Sequence, residues 1–143
     1  AVKTRGQFDH AHERQKLGVF DGAPGWEIVT PLASEEGIIV LVDRGIVPDN
    51  LRDMAKRPQT AGPGEVLGVV RAHNAAQGYF DPENNVEKNE WYWWDVPAML
   101  ASIPIPAETK VAPFILQALP AADTTIFPRA AVPEVALSNN HLQ

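Results

Sequence analysis

At 143 residues, with 45% apolar and 21% charged residues, the chain has the size and composition of one globular domain with a sizeable core. The 12 Lys and Arg against 18 Asp and Glu leave a net charge of −6, which argues against a nucleic-acid binder because such proteins present a dense cationic face. The absence of cysteine excludes disulfides, thiolate catalysis and cysteine-based zinc sites.

Neither end of the chain looks like a natural terminus. It begins Ala1-Val2-Lys3 without a signal peptide and stops at Gln143 without a closing turn, so we expect a piece of a longer protein. The longest clean apolar run, 38–42, is far shorter than the ~20 residues of a membrane-spanning helix. We therefore expect any membrane segment to lie outside this sequence.

The first half of the chain predicts short strands separated by turns. In chain order the predicted strands are 2–8, 13–20, 26–30 and 37–44. The second alternates only weakly and could pair with the first, whereas the last two form the most secure hairpin. Strand 37–44 is β-branched on both faces, which indicates a central strand buried on both sides. Gly45 then predicts a bulge or a sharp bend.

The second half continues the pattern with one clear helix. Residues 49–57 could form a short helical turn, and Asp95 is the expected N-cap of a short helix with Pro97 in its first turn. The remaining predicted strands are 65–71, 110–119 and 133–137. The sum is a mainly β fold over 1–143, an antiparallel barrel or sandwich of about seven or eight short strands with one or two short helices.

Residues 79–95 are the most informative stretch. An Asn- and Glu-rich loop, 82–85, reads as a fixed turn. We expect aromatics to anchor both of its ends, the pair Tyr79-Phe80 before it and the run 91–94 after it. Trp91 and Trp93 are expected to fill the core, and at least one ring of the run must face outward on an extended chain. The run could instead line a ligand pocket or lie at a membrane interface.

Two sets of side chains could bind ions. His10 and His12 would share a face on a strand and could hold a metal with Asp9 or Glu13, although a solvated pair is the simpler reading. Three arginines at strand positions could converge on an anion such as a haem propionate, or could form separate ion pairs: Arg5, Arg44 and Arg71. Motifs of hydrolases and of phosphate-binding loops are absent, so an enzyme is not expected.

The motifs in these segments resemble the Surfeit locus protein 1 family, also called the Shy-one family. The central signature of that family is matched by Phe80, Pro82, Asn85 (or Asn84), Asn89, Trp91 and Asp95. Further matches, in family order, are Arg5-Gly6, the segments 26–32 and 42–48 (which contains Arg44-Gly45), and Asn140-His141-Leu142-Gln143. Two positions depart from the family: Asp43 stands in place of Asn, and Ile46 in place of an aromatic.

The resemblance implies a non-enzymatic assembly factor of haem-copper cytochrome oxidase. Family members carry two membrane helices around a domain in the periplasm or the intermembrane space, and they act with oxidase subunit I and other assembly factors. Bacterial members are implicated in binding haem a, and the family's haem-contacting histidine maps to His141, a residue type that commonly ligates haem iron. Two other readings stay open: an interaction scaffold that binds no haem itself, and an unrelated small-ligand barrel.

Overall fold

The computed structural model describes residues 2–57, 63–71 and 79–119 of the chain. The strands in these residues are β1 Val2–Phe8, β2 Arg14–Phe20, β3 Ala23–Ser34, β4 Ile38–Pro48, β5 Pro63–Arg71 and β6 Lys110–Ala118. The helix α1 spans Val96–Ala101, and short 3-10 turns cover His10–His12, Asp49–Leu51 and Met54–Lys56. The mainly β fold is confirmed. The strand predicted at 133–137 and the motif at 140–143 lie outside the described residues.

The strands form one sheet that folds back on itself. Its order is β1-β5-β6-β4-β3-β2, and β1 also pairs with β3 at Gly6↔Ser34. These pairings join all the strands except β2 into a ring, but β2 extends the sheet beyond that ring as an edge strand, so the architecture is sandwich-like rather than a clean barrel. Pairing is antiparallel except between β4 and β6, which run parallel. An added Cβ at Gly6 would lie 2.1 Å from the carbonyl oxygen of Ala33, which is why glycine stands where β1 meets β3.

Strand β2 pairs with β3 and not with β1, so the predicted pairing of 13–20 with the first strand is wrong. The reason is the tight turn between β2 and β3, where Asp21 and Gly22 adopt φ values of 50° and 78°. Two residues with positive φ favour a two-residue hairpin turn, which places consecutive strands side by side. The register of this hairpin runs from Arg14↔Val29 to Phe20↔Ala23.

The predicted hairpin of β3 and β4 and the predicted bulge at Gly45 are both confirmed. Glu27 pairs with Ile46 and Val29 pairs with Asp43, so two residues of β4 face one residue of β3. Gly45 is one of those two and has φ 118°, a value that glycine adopts most readily. The bulge therefore bends β4 at the position that the sequence indicates.

Two hydrophobic clusters lie on opposite faces of the sheet. Val40 and Val42 belong to a cluster with Leu32 and Leu116, while Leu41 belongs to a cluster with the helix residue Met99. This alternation confirms β4 as a strand that is buried on both faces. It also explains why 38–42 is a continuous apolar run.

Helix α1 begins as predicted, because the Asp95 side chain accepts a hydrogen bond from the backbone N–H of Ala98 at 3.2 Å. The helix buries Val96 and Met99 against the sheet and ends at Ala101. Within residues 2–57, 63–71 and 79–119, no helix has the length and apolar character needed to cross a bilayer.

Candidate functional site

The Asn-rich loop docks along the outer edge of β2. Trp91 forms a parallel bridge with Lys16. The Leu17 N–H donates to the Trp91 carbonyl at 2.8 Å, and the Trp91 N–H donates to the Gln15 carbonyl at 3.1 Å. The loop thereby supplies backbone partners to an edge strand that would otherwise expose unpaired groups.

Asn89 holds this docking in place with its side-chain amide. Its Oδ1 accepts from the Trp91 indole N–H at 3.0 Å and from the Gln15 backbone N–H at 3.3 Å. Its Nδ2 donates to the Glu13 carbonyl at 2.9 Å. Asn89 also has φ 57°, a left-handed value that asparagine tolerates better than most residues. The position therefore needs both the amide and the backbone tolerance of asparagine.

The two asparagines earlier in the loop have different tasks. Asn84 Oδ1 accepts from the backbone N–H groups of Tyr92 and Trp93, at 2.6 and 3.3 Å, and so ties the two ends of the loop together. Asn85 Oδ1 accepts from the Lys88 N–H at 3.1 Å and closes the turn locally. The backbone of Asn85 also pairs with Glu90, so the side-chain link between the two ends comes from Asn84 and a backbone link comes from Asn85.

A buried ion pair lies beneath the loop. Arg57 Nη2 donates to Glu13 Oε2 at 2.6 Å, and the two side chains are 1% and 4% exposed. Gln15 Nε2 donates to the same carboxylate at 2.8 Å, and Arg57 Nε donates to the Leu51 carbonyl at 2.8 Å. The pair, with Gln15 of β2, thus connects the start of β2 to the segment 49–57, which contains two of the 3-10 turns.

Arg52 links that segment to the loop. Its Nη1 donates to Glu90 at 3.2 Å, its Nη2 donates to the Lys88 and Asn89 carbonyls at 3.2 Å, and its guanidinium stacks 4.0 Å from the Trp26 ring centroid. The Tyr92 hydroxyl donates to Glu90 at 2.9 Å. This hydrogen bond, with that from Arg52, lowers the pKa of Glu90, and the same bond raises the pKa of Tyr92.

An open cleft of about 690 Å³ lies between these parts. Its walls come from 11–15 at the start of β2, from 49–56, and from 88–89 in the loop. We refer to it as the polar cleft.

A second polar contact, between the carboxyl groups of Asp43 and Glu27, joins β4 to β3 at the bulge. Asp43 of β4 is 8% exposed, hydrogen-bonds the Glu27 side chain of β3, and accepts from the Gly45 N–H at 3.0 Å. Burial raises the pKa of Asp43 well above its ordinary value, and the charge and hydrogen bond of Glu27 raise it further. The Gly45 N–H and the charge of Lys16 partly oppose this shift. Asp43 therefore keeps its proton at pH values where an exposed aspartate has lost it.

Arg5 and Arg71 are engaged in separate contacts. Arg5 lies 3.7 Å from Glu35 and 4.0 Å from Glu65, in ion pairs at the surface of the sheet. Arg71 donates to the Gln117 side chain at 2.7 Å across the β5–β6 pairing.

Arg44 belongs to a third environment, at the bulge, against the Phe8 ring at 5.3 Å and 3.4 Å from His10 Nδ1. Burial lowers its pKa from the ordinary value. The partners found for Arg5, Arg44 and Arg71 are different, so these arginines make separate contacts and do not converge on one anion site.

The structure does not favour the alternative of a metal site at His10 and His12. Both residues lie in a 3-10 turn rather than on a strand, and His12 Nδ1 is 2.7 Å from Asp9 Oδ2. Glu13 is committed to Arg57. Among the residues that the structure describes, no group of three or more His, Cys, Asp or Glu side chains could hold a metal ion.

The aromatic stretch is divided between core and surface. Trp91 is completely buried as expected, and Trp93 is only half-buried. Tyr79 and Phe80, in contrast, are 94% and 90% exposed and contact each other edge to face at 4.8 Å. The expectation that aromatics anchor both ends of the loop is wrong at the N-terminal end, where Asn84 instead hydrogen-bonds the backbone of Tyr92 and Trp93. Pro82 is exposed as well.

The sequence did not predict the Glu13–Arg57 ion pair or the contacts that Arg52 makes with the loop. The available signal was that Glu13 and Gln15 fall on one face of the predicted strand 13–20, and two polar residues on one strand face indicate polar partners. His141 and Asn140, the remaining residues of the predicted site, lie outside the described residues.

Fold and loop together define a class of protein: a small β fold whose edge strand is sealed by an Asn- and Trp-containing loop. The family model described as "SURF1 family" matches residues 1–143, and the chain belongs to this family. It is 31% identical over 160 residues to Surfeit locus protein 1 of Rattus norvegicus, covering 99% of this chain and 50% of that protein. It is 30% identical over 161 residues to Surfeit locus protein 1 of Homo sapiens, covering 99% of this chain and 51% of that protein.

A further relative is the "SURF1-like protein" of Monosiga brevicollis, which is 37% identical over 81 residues, 54% of this chain and 31% of that protein. The chain spans about half the length of the rat and human relatives.

Proposed function

We propose that the protein is an assembly factor of cytochrome c oxidase that binds haem a and aids its insertion into oxidase subunit I. In this proposal the β fold lies in the periplasm or the intermembrane space and is anchored to the inner membrane by flanking helices. The observation that carries the proposal is the family match over residues 1–143. Haem a is cargo here, and the protein acts by binding and transfer rather than by catalysis.

The cargo contact is placed at His141. The described histidines are poor candidates, because His12 is already paired with Asp9 and because the Arg44 guanidinium beside His10 disfavours a further cation. Neutral imidazole is a common axial ligand of haem iron. Haem a carries a long isoprenoid tail, so a ligand next to a membrane helix would keep ring and tail dry together.

Absorption spectra of the full-length protein from cells that make haem a test this placement. The wild type is expected to show a Soret band and His141→Ala to lose it, while His12→Ala, the matched control, keeps it. The 143-residue chain alone is expected to bind haem a poorly. Stoichiometric haem on this chain alone, or a Soret band that survives in His141→Ala, would contradict the placement.

A second candidate is an interaction scaffold for oxidase subunits, and the exposed pair Tyr79-Phe80 favours it. Large aromatics are frequent anchors of protein interfaces, and a pair this exposed is costly in water unless a partner covers it. A scaffold would show no Soret band in the full-length protein. Phe80→Ala would then reduce co-purification with oxidase subunits without changing the unfolding midpoint.

A further inference from the structure

Arg44 is the arginine that lacks an oxygen partner in the described part of the chain. The other arginines there each contact at least one oxygen atom: Arg5, Arg14, Arg52, Arg57 and Arg71. Arg44 contacts the Phe8 ring and, at 3.4 Å, His10 Nδ1, and no oxygen of the described residues accepts from its guanidinium. A guanidinium carries several N–H donors, so most of those of Arg44 have no acceptor in this part of the chain.

The side chain of Arg44 is half-buried, which makes this lack of acceptors costly. Val40, Val42 and Arg44 alternate along β4 and lie on one face, so Arg44 extends the cluster of Val40 and Val42, against which Phe8 packs. Water therefore reaches only part of the side chain, and burial lowers the pKa of Arg44. A donor that loses water without gaining an acceptor destabilises the folded chain.

The positive charge of Arg44 also lacks a carboxylate of its own among the residues that the structure describes. Glu13 is the acid that raises the pKa of Arg44, but its carboxylate already accepts from Arg57 at 2.6 Å and from Gln15 at 2.8 Å. The charge of Arg57 opposes Glu13 and lowers the pKa of Arg44. Two guanidinium groups thus share the charge of one carboxylate, and one positive charge is left over.

We propose that Arg44 binds the carboxylate group of a small monocarboxylic acid. A carboxylate is planar and offers its two oxygens to two parallel N–H groups of a guanidinium, and its charge supplies the missing counter-charge. The Phe8 ring beside the guanidinium gives the carbon skeleton of the acid an apolar surface to contact. The ligand is therefore a small acid with an apolar body.

Titration of the purified protein with benzoate at low ionic strength tests the proposal. In the wild type, benzoate should shift the NMR signal of the Arg44 Nε–H group. Arg44→Met keeps a long apolar stem against Phe8 and removes the charge, so it should weaken binding by at least about tenfold, the factor expected for losing a hydrogen bond between charged groups. The control Arg71→Met removes the same charge on β5 and should bind benzoate like the wild type.

Thermal unfolding gives a second measurement that does not depend on the NMR signal. Without benzoate, Arg44→Met should unfold at the same temperature as the wild type or higher, because it no longer buries a charge without a counter-charge. Added benzoate should raise the unfolding temperature of the wild type and leave that of Arg44→Met unchanged. A lower unfolding temperature of Arg44→Met without benzoate would show that Arg44 already has its counter-charge within the chain, and would overturn the proposal.

Three further outcomes would overturn the proposal. Outside the described residues the acids of the sequence are Asp123 and Glu134, and tighter benzoate binding by Asp123→Asn/Glu134→Gln than by the wild type would identify one of them as the partner of Arg44. Equal losses in Arg44→Met and Arg71→Met would show that only net charge matters. Tighter binding of inorganic phosphate than of benzoate would contradict a carboxylate site. The site makes no use of His141, so its test is independent of haem binding.

Discussion

Replacing Asp43 with asparagine tests whether folded Asp43 keeps a proton that it donates to Glu27 at the bulge, which we call the shared proton. Protonated Asp43 has one oxygen that accepts from the Gly45 N–H and one O–H that donates to Glu27. Asparagine offers the same acceptor and donor in nearly the same shape. Asp43→Asn therefore preserves the contacts and removes only the ability to ionise.

The magnitude follows from proton linkage. Asp43 is raised above the ordinary pKa of about 3.9, so between that value and its folded pKa the folded protein holds one proton more than the unfolded chain. In this window the free energy of unfolding falls by about 1.4 kcal/mol for each unit of rising pH. The stabilising contribution is fully present below the ordinary pKa and is lost as pH rises through the folded pKa. Asp43→Asn should match the wild type at the acid end and become progressively more stable than it above.

Urea unfolding followed by tryptophan fluorescence at pH 4, 5, 6 and 7 measures this difference. The control is Asp21→Asn, which removes a carboxylate at an exposed turn where φ 50° suits either residue. The control should follow the wild type at every pH. A constant difference between Asp43→Asn and the wild type across the series would show that folding does not raise the pKa of Asp43 and would refute the shared proton.

Three further substitutions probe the polar and buried groups. Glu13→Gln leaves Arg57 buried without its counter-charge and should lower the free energy of unfolding, measured in urea, by about 3–5 kcal/mol. The double variant Glu13→Gln/Arg57→Gln should lose less than the sum of the two single variants. Strictly additive losses would contradict the coupling of the two residues. Asn89→Ala loses the amide hydrogen bonds and is strained at a left-handed φ, so it should lower the free energy of unfolding by about 3 kcal/mol. Asn89→Gly relieves the strain but not the lost hydrogen bonds, so it should lose less. Equal losses in the two variants would show that backbone conformation is unimportant at this position. Thr30 is fully buried and its hydroxyl has no partner among the described residues, so Thr30→Val should stabilise by about 1 kcal/mol and Thr30→Ser should not. A loss of stability in Thr30→Val would mean that the hydroxyl has a partner.

The features that could be predicted from the sequence are those set by neighbouring residues. The β3–β4 hairpin follows from turn residues between apolar runs, and the bulge follows from Gly45 placed after a buried strand. The helix N-cap at Asp95 follows from a carboxylate placed just before Val96-Pro97. In each case the cause and the structure lie within a few residues of each other.

The features that could not be predicted depend on contacts between distant residues. Glu13 and Arg57 are separated by 44 positions, and neither has a local pattern that names the other. The parallel pairing of β4 with β6 places Leu41 beside Ile115, a choice made by the packing of the whole sheet. The arginines could not be assigned to one site or to several, because strand order decides their partners.

The shared proton also explains a departure from the family motif. Asp43 occupies a position where the motif carries asparagine, and an ionised carboxylate there would face Glu27 with no donor between the two. Protonation restores the donor, so the acid reproduces the hydrogen bonds of an amide at the bulge. The cost of this solution is dependence on pH, because the contact weakens when the proton leaves. A protein with aspartate at this position should therefore lose stability with rising pH, in a window where the same protein with asparagine does not.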